Sequence, residues 1–292
     1  MALWNRHPGH QPEYPDNRGC GGTLVATRFV ITAAHCFYEE DEETKLITGK
    51  LEAGDVAVRI GEHNLVTFGE TGLEQFVNVK KINIHDGYQQ KIGEKAWKGS
   101  YDFAIIELDT DVPIETYTPA CIARATDGTT FDGKNLTMAG WGLLSDYPQE
   151  PHITTNVPYE VNVTVAENCQ QNPRPTEMCV GLYTIGKGSC LVRHGALLVR
   201  ILCVLLTLDV LVNMLNMLFV CQGDSGGPAT YKQGDQHILV GVTSAGSGSG
   251  SAFECGSISE MVRVAYWREW LDGYLGGSAK YCPNGSEADD EF

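Results

Sequence analysis

The chain has 292 residues, 42% of them hydrophobic and 33 of them glycine, with a formal net charge of −16 at neutral pH. Length and composition are those of an ordinary globular protein, either one large all-β domain or two smaller ones. The strongly negative balance argues against nucleic acid as a partner and favours a soluble, acidic protein.

Ten cysteines, with no Cys-x-x-Cys pair to suggest zinc, point to an oxidising compartment. The Asn-x-Ser/Thr acceptors at Asn135, Asn162 and Asn284 point the same way, toward a secreted, extracellular glycoprotein. The start, Met1-Ala2-Leu3-Trp4-Asn5-Arg6-His7-Pro8, has no apolar stretch of the kind a signal peptide needs, so an upstream segment is expected to be missing.

Residues 1–20 are largely polar and rich in Pro and Gly. Cys20-Gly21-Gly22-Thr23-Leu24-Val25 follows, then Phe29-Val30-Ile31-Thr32-Ala33-Ala34-His35-Cys36, which reads as a short buried strand running into a tight turn. Further β-like runs lie at 56–60, 76–84, 103–108, 136–141, 159–165 and 237–244, separated by turn residues. That spacing predicts an antiparallel sandwich or barrel. A helix is expected only at 261–275, where Val264, Trp267, Trp270 and Leu271 recur at helical spacing. Residues 276–292, ending Glu-Ala-Asp-Asp-Glu-Phe, read as an acidic, solvated, disordered tail.

Residues 191–220 break the pattern. From Ile201 to Val220 the only polar members are Thr207, Asp209, Asn213 and Asn216. The length meets the criterion for a membrane helix, but the aspartate and two asparagines weaken it, and a membrane span here would pull its neighbours to the bilayer. A structured insertion would leave a large apolar surface to cover. The favoured reading is a retained intron. Val192-Arg193 is encodable as a splice donor and Gln222 as an acceptor, and removing Val192–Gln222 joins Ser189-Cys190-Leu191 directly to Gly223-Asp224-Ser225.

Chemistry concentrates at Cys221-Gln222-Gly223-Asp224-Ser225-Gly226-Gly227-Pro228. Glycines around a serine allow close backbone approach and let the N–H groups of Gly223 and Ser225 converge as an anion pocket. A serine hydroxyl is a weak nucleophile, so it needs a base, and the base needs a group to fix its tautomer. His35, in Thr-Ala-Ala-His-Cys, is the best base among the eight histidines. Asp102 stands at the mouth of the apolar run Phe103–Leu108, where a carboxylate is costly unless hydrogen-bonded.

With these residues in the order His, Asp, Ser, the sequence resembles the trypsin/chymotrypsin family of serine proteases. The matching runs are Cys20–Leu24, Thr32–Cys36, Tyr101–Leu108, Ala139–Gly142, Glu177–Gly181 and Gly223–Pro228. The resemblance implies a peptidase domain over 1–275, built of two antiparallel six-stranded β-barrels (about 1–110 and 111–275) and a C-terminal helix. It implies an endopeptidase working through an acyl-enzyme. Ser225 would attack, His35 would move the proton, Asp102 would orient His35, and Gly223 and Ser225 would hold the oxyanion. Protein or peptide substrates and protease inhibitors are the implied partners.

The resemblance also implies disulfides Cys20–Cys36 and Cys169–Cys179, and a bridge from Cys255 to either Cys190 or Cys221. Cys121 resembles the cysteine that tethers many such domains to an upstream pro-domain, with Cys282 as the only substitute partner in the chain. Leu136 and Tyr231 stand where some relatives carry another bridge. Gly188, Ser189, Ser244, Gly246 and Ser259 fall at the substrate pocket, and the neutral base at Gly188 argues against a basic residue on the acyl side of the cleaved bond. No cofactor is required. Glu62, Glu70 and Glu74 resemble the family's surface calcium loop and supply hard oxygen donors.

In the family a new N-terminal ammonium pairs with the aspartate before the serine, here Asp224. No such N-terminus is identifiable, so Asp224 is expected to lack a partner and the chain to behave as a zymogen or be inactive. The alternative is a non-catalytic homologue serving as a binding or regulatory module.

Overall fold

The computed structural model describes residues 1–5, 18–41, 43–67, 69–95, 101–124, 131–142, 156–166, 175–181, 224–246 and 259–282. Its first sheet begins with four short strands, β1 (Ala2–Asn5), β2 (Arg18–Gly21), β3 (Thr23–Ala26) and β4 (Phe29–Thr32), of which β3 and β4 carry the β-branched residues. After a hairpin of β5 (Tyr38–Glu40) and β6 (Ile47–Lys50) come β7 (Val56–Ile60), β8 (Gln75–Ile84) and β9 (Ala104–Leu108). The order across the sheet is β2-β1-β7-β8-β9-β4-β3. Inward residues such as Val30, Val58, Ile60, Ile106 and Leu108 are buried in one cluster. Removing each such side chain from water contributes about 1.5–3 kcal/mol.

The second sheet comprises β10 (Cys121–Ala123), β11 (Asn135–Gly140), β12 (Tyr159–Val165), β13 (Glu177–Gly181), β14 (Pro228–Gln233), β15 (Gln236–Gly246), β16 (Ser259–Arg263) and β17 (Tyr281–Cys282). Six of its strands run β14-β11-β12-β13-β16-β15, and β14 pairs with β15, so the ring closes with every contact antiparallel. Closure removes the edges of this ring except along the first half of β15, where β16 does not reach. β10 and β17 add to it as parallel neighbours. The all-β reading and the closed six-strand barrel therefore hold. The first sheet differs from expectation, because among the described residues its seven strands form an open half-barrel.

The apolar layer between the two sheets contains Ile31 and Phe103 from the first, Ile122, Leu239 and Val242 from the second, and Leu271 from the terminal helix. That helix, α1 (Arg268–Leu275), begins seven residues later than the periodicity predicts. Met261 and Val262 are drawn into the ladder with β13 and β15, and a 3₁₀ turn at Val264–Trp267 makes the change of direction. Pairing on both sides outweighs the local helical pattern. Gly276, with φ of 54°, ends the helix in the left-handed conformation.

Two further expectations are corrected here. Residues 276–282 are not a loose tail: β17 pairs with β10, and Cys282 is disulfide-bonded to Cys121. The same bond uses the Cys121 sulfur, which overturns its assignment as a tether to a pro-domain. Cys20–Cys36 is formed. Cys179 is also disulfide-bonded, while its expected partner Cys169 lies outside the described residues, as do Cys190, Cys221, Cys255 and the whole of 191–220. Leu136 is buried and the Tyr231 ring stands edge-on to Phe131, so apolar packing fills the place of the missing bridge. Among the described residues no helix is long and apolar enough to cross a membrane.

Candidate active site

The two alanines of Thr-Ala-Ala-His-Cys are fully buried, and the 3₁₀ turn Ala34–Phe37 lifts His35 from the end of β4. Only small side chains fit there. Asp102 sits two residues ahead of β9, the partner of β4, so sheet pairing alone brings the two residues together. The Asp102 side chain is wholly buried. Its Oδ1 accepts the His35 backbone N–H at 2.7 Å, and its Oδ2 lies 2.7 Å from His35 Nδ1.

A second donor to Asp102 comes from the other sheet. Ser244 donates its hydroxyl to Asp102 Oδ2 at 2.5 Å. Ser244 occupies a bulge in β15, where the register with β16 slips between Thr243 and Ala245. A bulge re-aims the side chain it carries. Ser244, expected to serve the substrate pocket, thus directs its hydroxyl to the carboxylate. Nothing in the local sequence marks a bulge, so this link could not be read in advance. Burial pushes the Asp102 pKa up, but the imidazole charge and the hydrogen bonds from His35 and Ser244 outweigh it and hold the carboxyl below its ordinary value. Asp102 is therefore ionised at any pH above the usual carboxylate range. An anion at Nδ1 keeps that nitrogen protonated and leaves Nε2 as the basic atom.

Ser225 lies in the turn entering β14. Its carbonyl accepts the Gly21 N–H at 2.7 Å, Gly226 N–H donates to Thr243 at 2.8 Å, and Gly227 N–H donates to the Asp224 carbonyl at 2.9 Å. Gly226 has φ of 74°, and a Cβ there would strike the Thr32 hydroxyl and the Gly21 carbonyl. Only glycine meets both demands. The serine turn is thereby seated on Gly21 and Thr32, and Thr32 is three residues from His35. Gly223, the other expected oxyanion donor, lies outside the described residues, as do Gly188 and Ser189 of the substrate pocket. The other two residues expected at the pocket, Gly246 and Ser259, are register partners across β15 and β16.

Asp224 is not left without a donor, contrary to expectation. Gly142 N–H donates to its Oδ1 at 3.0 Å, and a Cβ on either Gly140 or Gly142 would collide with the carboxylate. The Ala-Gly-Trp-Gly run at the end of β11 and just beyond it is thus shaped around this side chain. Beside it opens a cavity of about 270 Å³, bounded by Asp224, Trp141, Gly140, Leu3 and Cys20.

Away from this cleft, oxygen atoms of Glu62, Glu70 and Glu74 lie within 4.8 Å of one another. The buried Glu62 carboxylate is ion-paired with Arg59. Desolvation raises the Glu62 pKa, the Arg59 charge opposes that, and Glu74 and Glu70 add to the rise. His63 Nδ1 is 3.0 Å from Glu70, and among the described residues Glu74 Oε2 finds no hydrogen-bond donor. The donor set suits a hard cation, with Arg59 already sharing Glu62.

Comparison with known proteins agrees with this geometry. The Trypsin family model matches residues 9–191 and 209–271, leaving unmatched a stretch inside the apolar insertion. Coagulation factor XI of Bos taurus is 26% identical over 85% of the chain and 32% of its own length. Serine protease filzig of Drosophila melanogaster is 29% identical over 88% of the chain but 12% of its own. Venom serine protease 34 of Apis mellifera is 25% identical over 94% of the chain and 56% of its own. The chain thus spans roughly an eighth to just over half the length of these relatives. With a matching family model over most of its residues, the chain belongs to the trypsin family.

Proposed function

We propose that this domain is a secreted serine endopeptidase that cleaves peptide bonds through an acyl-enzyme at Ser225. The observation that supports this most is the hydrogen-bonded line from Ser244 through buried Asp102 to His35, formed across both sheets. In this reading His35 Nε2 takes the Ser225 proton and returns it to the leaving amine, while Asp102 stabilises the imidazolium. Gly223 and Ser225 N–H groups hold the oxyanion, and Gly188, Ser189, Gly246 and Ser259 shape a neutral pocket for the acyl-side residue. A protein inhibitor would occupy the same cleft as substrate.

Asp224 is the control point of this reading. A cavity next to a carboxylate gives a ligand ammonium both space and a counter-charge. A free apolar N-terminus placed there would brace the turn that carries Ser225. The dipeptide Ile-Val, added at millimolar concentration, is expected to raise turnover of a fluorogenic peptide library at least tenfold, with no response in Asp224→Asn. Equal turnover with and without dipeptide would remove this control. No turnover in either condition would favour the non-catalytic alternative.

We also propose calcium at Glu62, Glu70 and Glu74, where it would fix the loop leading into β8. Added calcium is expected to raise the thermal midpoint by a few degrees, since a ligand at about 100 times its Kd contributes about 2.7 kcal/mol. Glu74→Gln should abolish the rise. An unchanged midpoint in the parent chain would show that the three carboxylates are an ordinary acidic surface.

A further inference from the structure

Two of the three Asn-x-Ser/Thr acceptors, both of them Asn-x-Thr, are brought face to face by the barrel. In the β11–β12 ladder Asn135 lies opposite Thr164, and Thr137 lies opposite Asn162, with no slip of register between them. Leu136 and Val163, the central residues of the two triplets, point into the core. Both asparagines are exposed on the outer face.

The hydrogen bonding is reciprocal. Thr164 donates its hydroxyl to Asn135 Oδ1 at 2.9 Å, and Thr137 donates to Asn162 Oδ1 at 3.0 Å. Each acceptor triplet is therefore closed by the threonine of the other. Both bonds use the amide oxygen rather than Nδ2, the atom that carries an N-linked sugar, and both asparagines are exposed. The cysteine pairs Cys20–Cys36 and Cys121–Cys282 fit a compartment in which such sugars are added.

We infer that Asn135 and Asn162 are a paired N-glycosylation site, modified on the chain before β11 and β12 zip together and sealed against modification afterwards. In the transfer, Nδ2 forms a bond to the anomeric carbon of a lipid-diphosphate-linked oligosaccharide. The bond from that carbon to the diphosphate oxygen breaks, the lipid diphosphate leaves with the electron pair, and Nδ2 gives up one proton. The transferring enzyme must read the threonine hydroxyl of the same triplet. In the folded barrel that hydroxyl is engaged across the strand, and the backbone is held in a ladder. Once attached, the sugar leaves Oδ1 free to accept, so both cross-strand bonds survive. The two attachment points are diagonal neighbours, about 7–8 Å apart, so their glycans would screen one face of the barrel.

The inference rests on the secretory part of the proposed function and is independent of catalysis. The full chain is expressed behind a signal sequence in a secreting eukaryotic cell, then deglycosylated enzymatically in heavy-oxygen water and mapped by mass spectrometry. Isotope-labelled aspartate is expected at both 135 and 162. Thr137→Ala should abolish the label at 135 only, Thr164→Ala the label at 162 only, and Thr→Ser at either position should retain both. Separately, the folded, unglycosylated chain from bacteria is incubated with solubilised oligosaccharyltransferase and its lipid-linked donor, beside the same chain kept reduced and unfolded. The unfolded chain should be modified at least tenfold faster. Unmodified asparagine at both positions in the secreted chain would overturn the site. Equal modification of folded and unfolded chains would overturn its closure by folding. Neither outcome depends on whether Ser225 is active.

Discussion

Replacing Asp102 with asparagine is expected to lower kcat for peptide hydrolysis about 10⁴-fold while leaving the fold in place. Asp102 receives three hydrogen bonds, two on one oxygen and one on the other. An asparagine can keep its oxygen toward the His35 backbone N–H, which then places its NH₂ against His35 Nδ1. That nitrogen must now accept, so the ring proton moves to Nε2, the atom that has to take the proton from Ser225. Ser244 adapts by turning its hydroxyl to accept from the amide. The result is intact geometry with the wrong tautomer. Circular dichroism should be unchanged and kcat should fall, with KM nearly constant. A variant retaining more than a tenth of parental kcat would show that Asp102 has no part in setting the tautomer.

The double substitution Cys121→Ser/Cys282→Ser is expected to cost roughly 2–5 kcal/mol of stability, toward the upper end because the closed loop is long. The two cysteines are 161 residues apart in sequence. The bond fastens the last described segment to β10, together with N–H bonds from Ile122 to Lys280 and from Arg124 to Cys282. Around it, Tyr281 donates its hydroxyl to Asp272 at 2.5 Å and Arg268 lies over the Tyr281 ring. Releasing this segment uncovers part of α1 as well as β17. Calorimetry should record a fall in the thermal midpoint of about 5–15 °C for a domain of this size. A fall below about one degree would mean that strand pairing alone holds the segment. Peptide mapping of the unreduced parent chain should recover Cys121 linked to Cys282. Recovery of Cys121 as a free thiol would restore its reading as a tether.

What could be read in advance follows the range of the forces involved. The run at Tyr159–Val165 carries its own alternation and the run at Val56–Ile60 is short and mostly apolar, and both appear as strands with those bounds. The contact between His35 and Asp102 was foreseeable because each lies in a short run whose residue types suit such a pairing. The departures all involve partners distant in sequence. Met261–Arg263 was pulled from helix to strand by β13 and β15, which no local pattern announces. The bulge that turns Ser244 toward Asp102 exists only in the pairing of two strands. The Gly142 donor to Asp224 and the adjoining cavity require two loops to fold against each other. Gly223, Gly188 and Ser189 lie outside the described residues.

The central claim is that Ser225 is a nucleophile activated by His35, and covalent labelling tests it most directly. The full chain and the form lacking Val192–Gln222, each in the presence of the Ile-Val dipeptide, are treated with a fluorophosphonate, which reacts with an activated serine hydroxyl, and the adduct is located by peptide mass spectrometry. The account predicts an adduct on Ser225 in the shortened form, absent from its Ser225→Ala variant and reduced at least a hundredfold in its His35→Ala variant. A correctly folded protein that acquires no adduct at Ser225 in either form would contradict it.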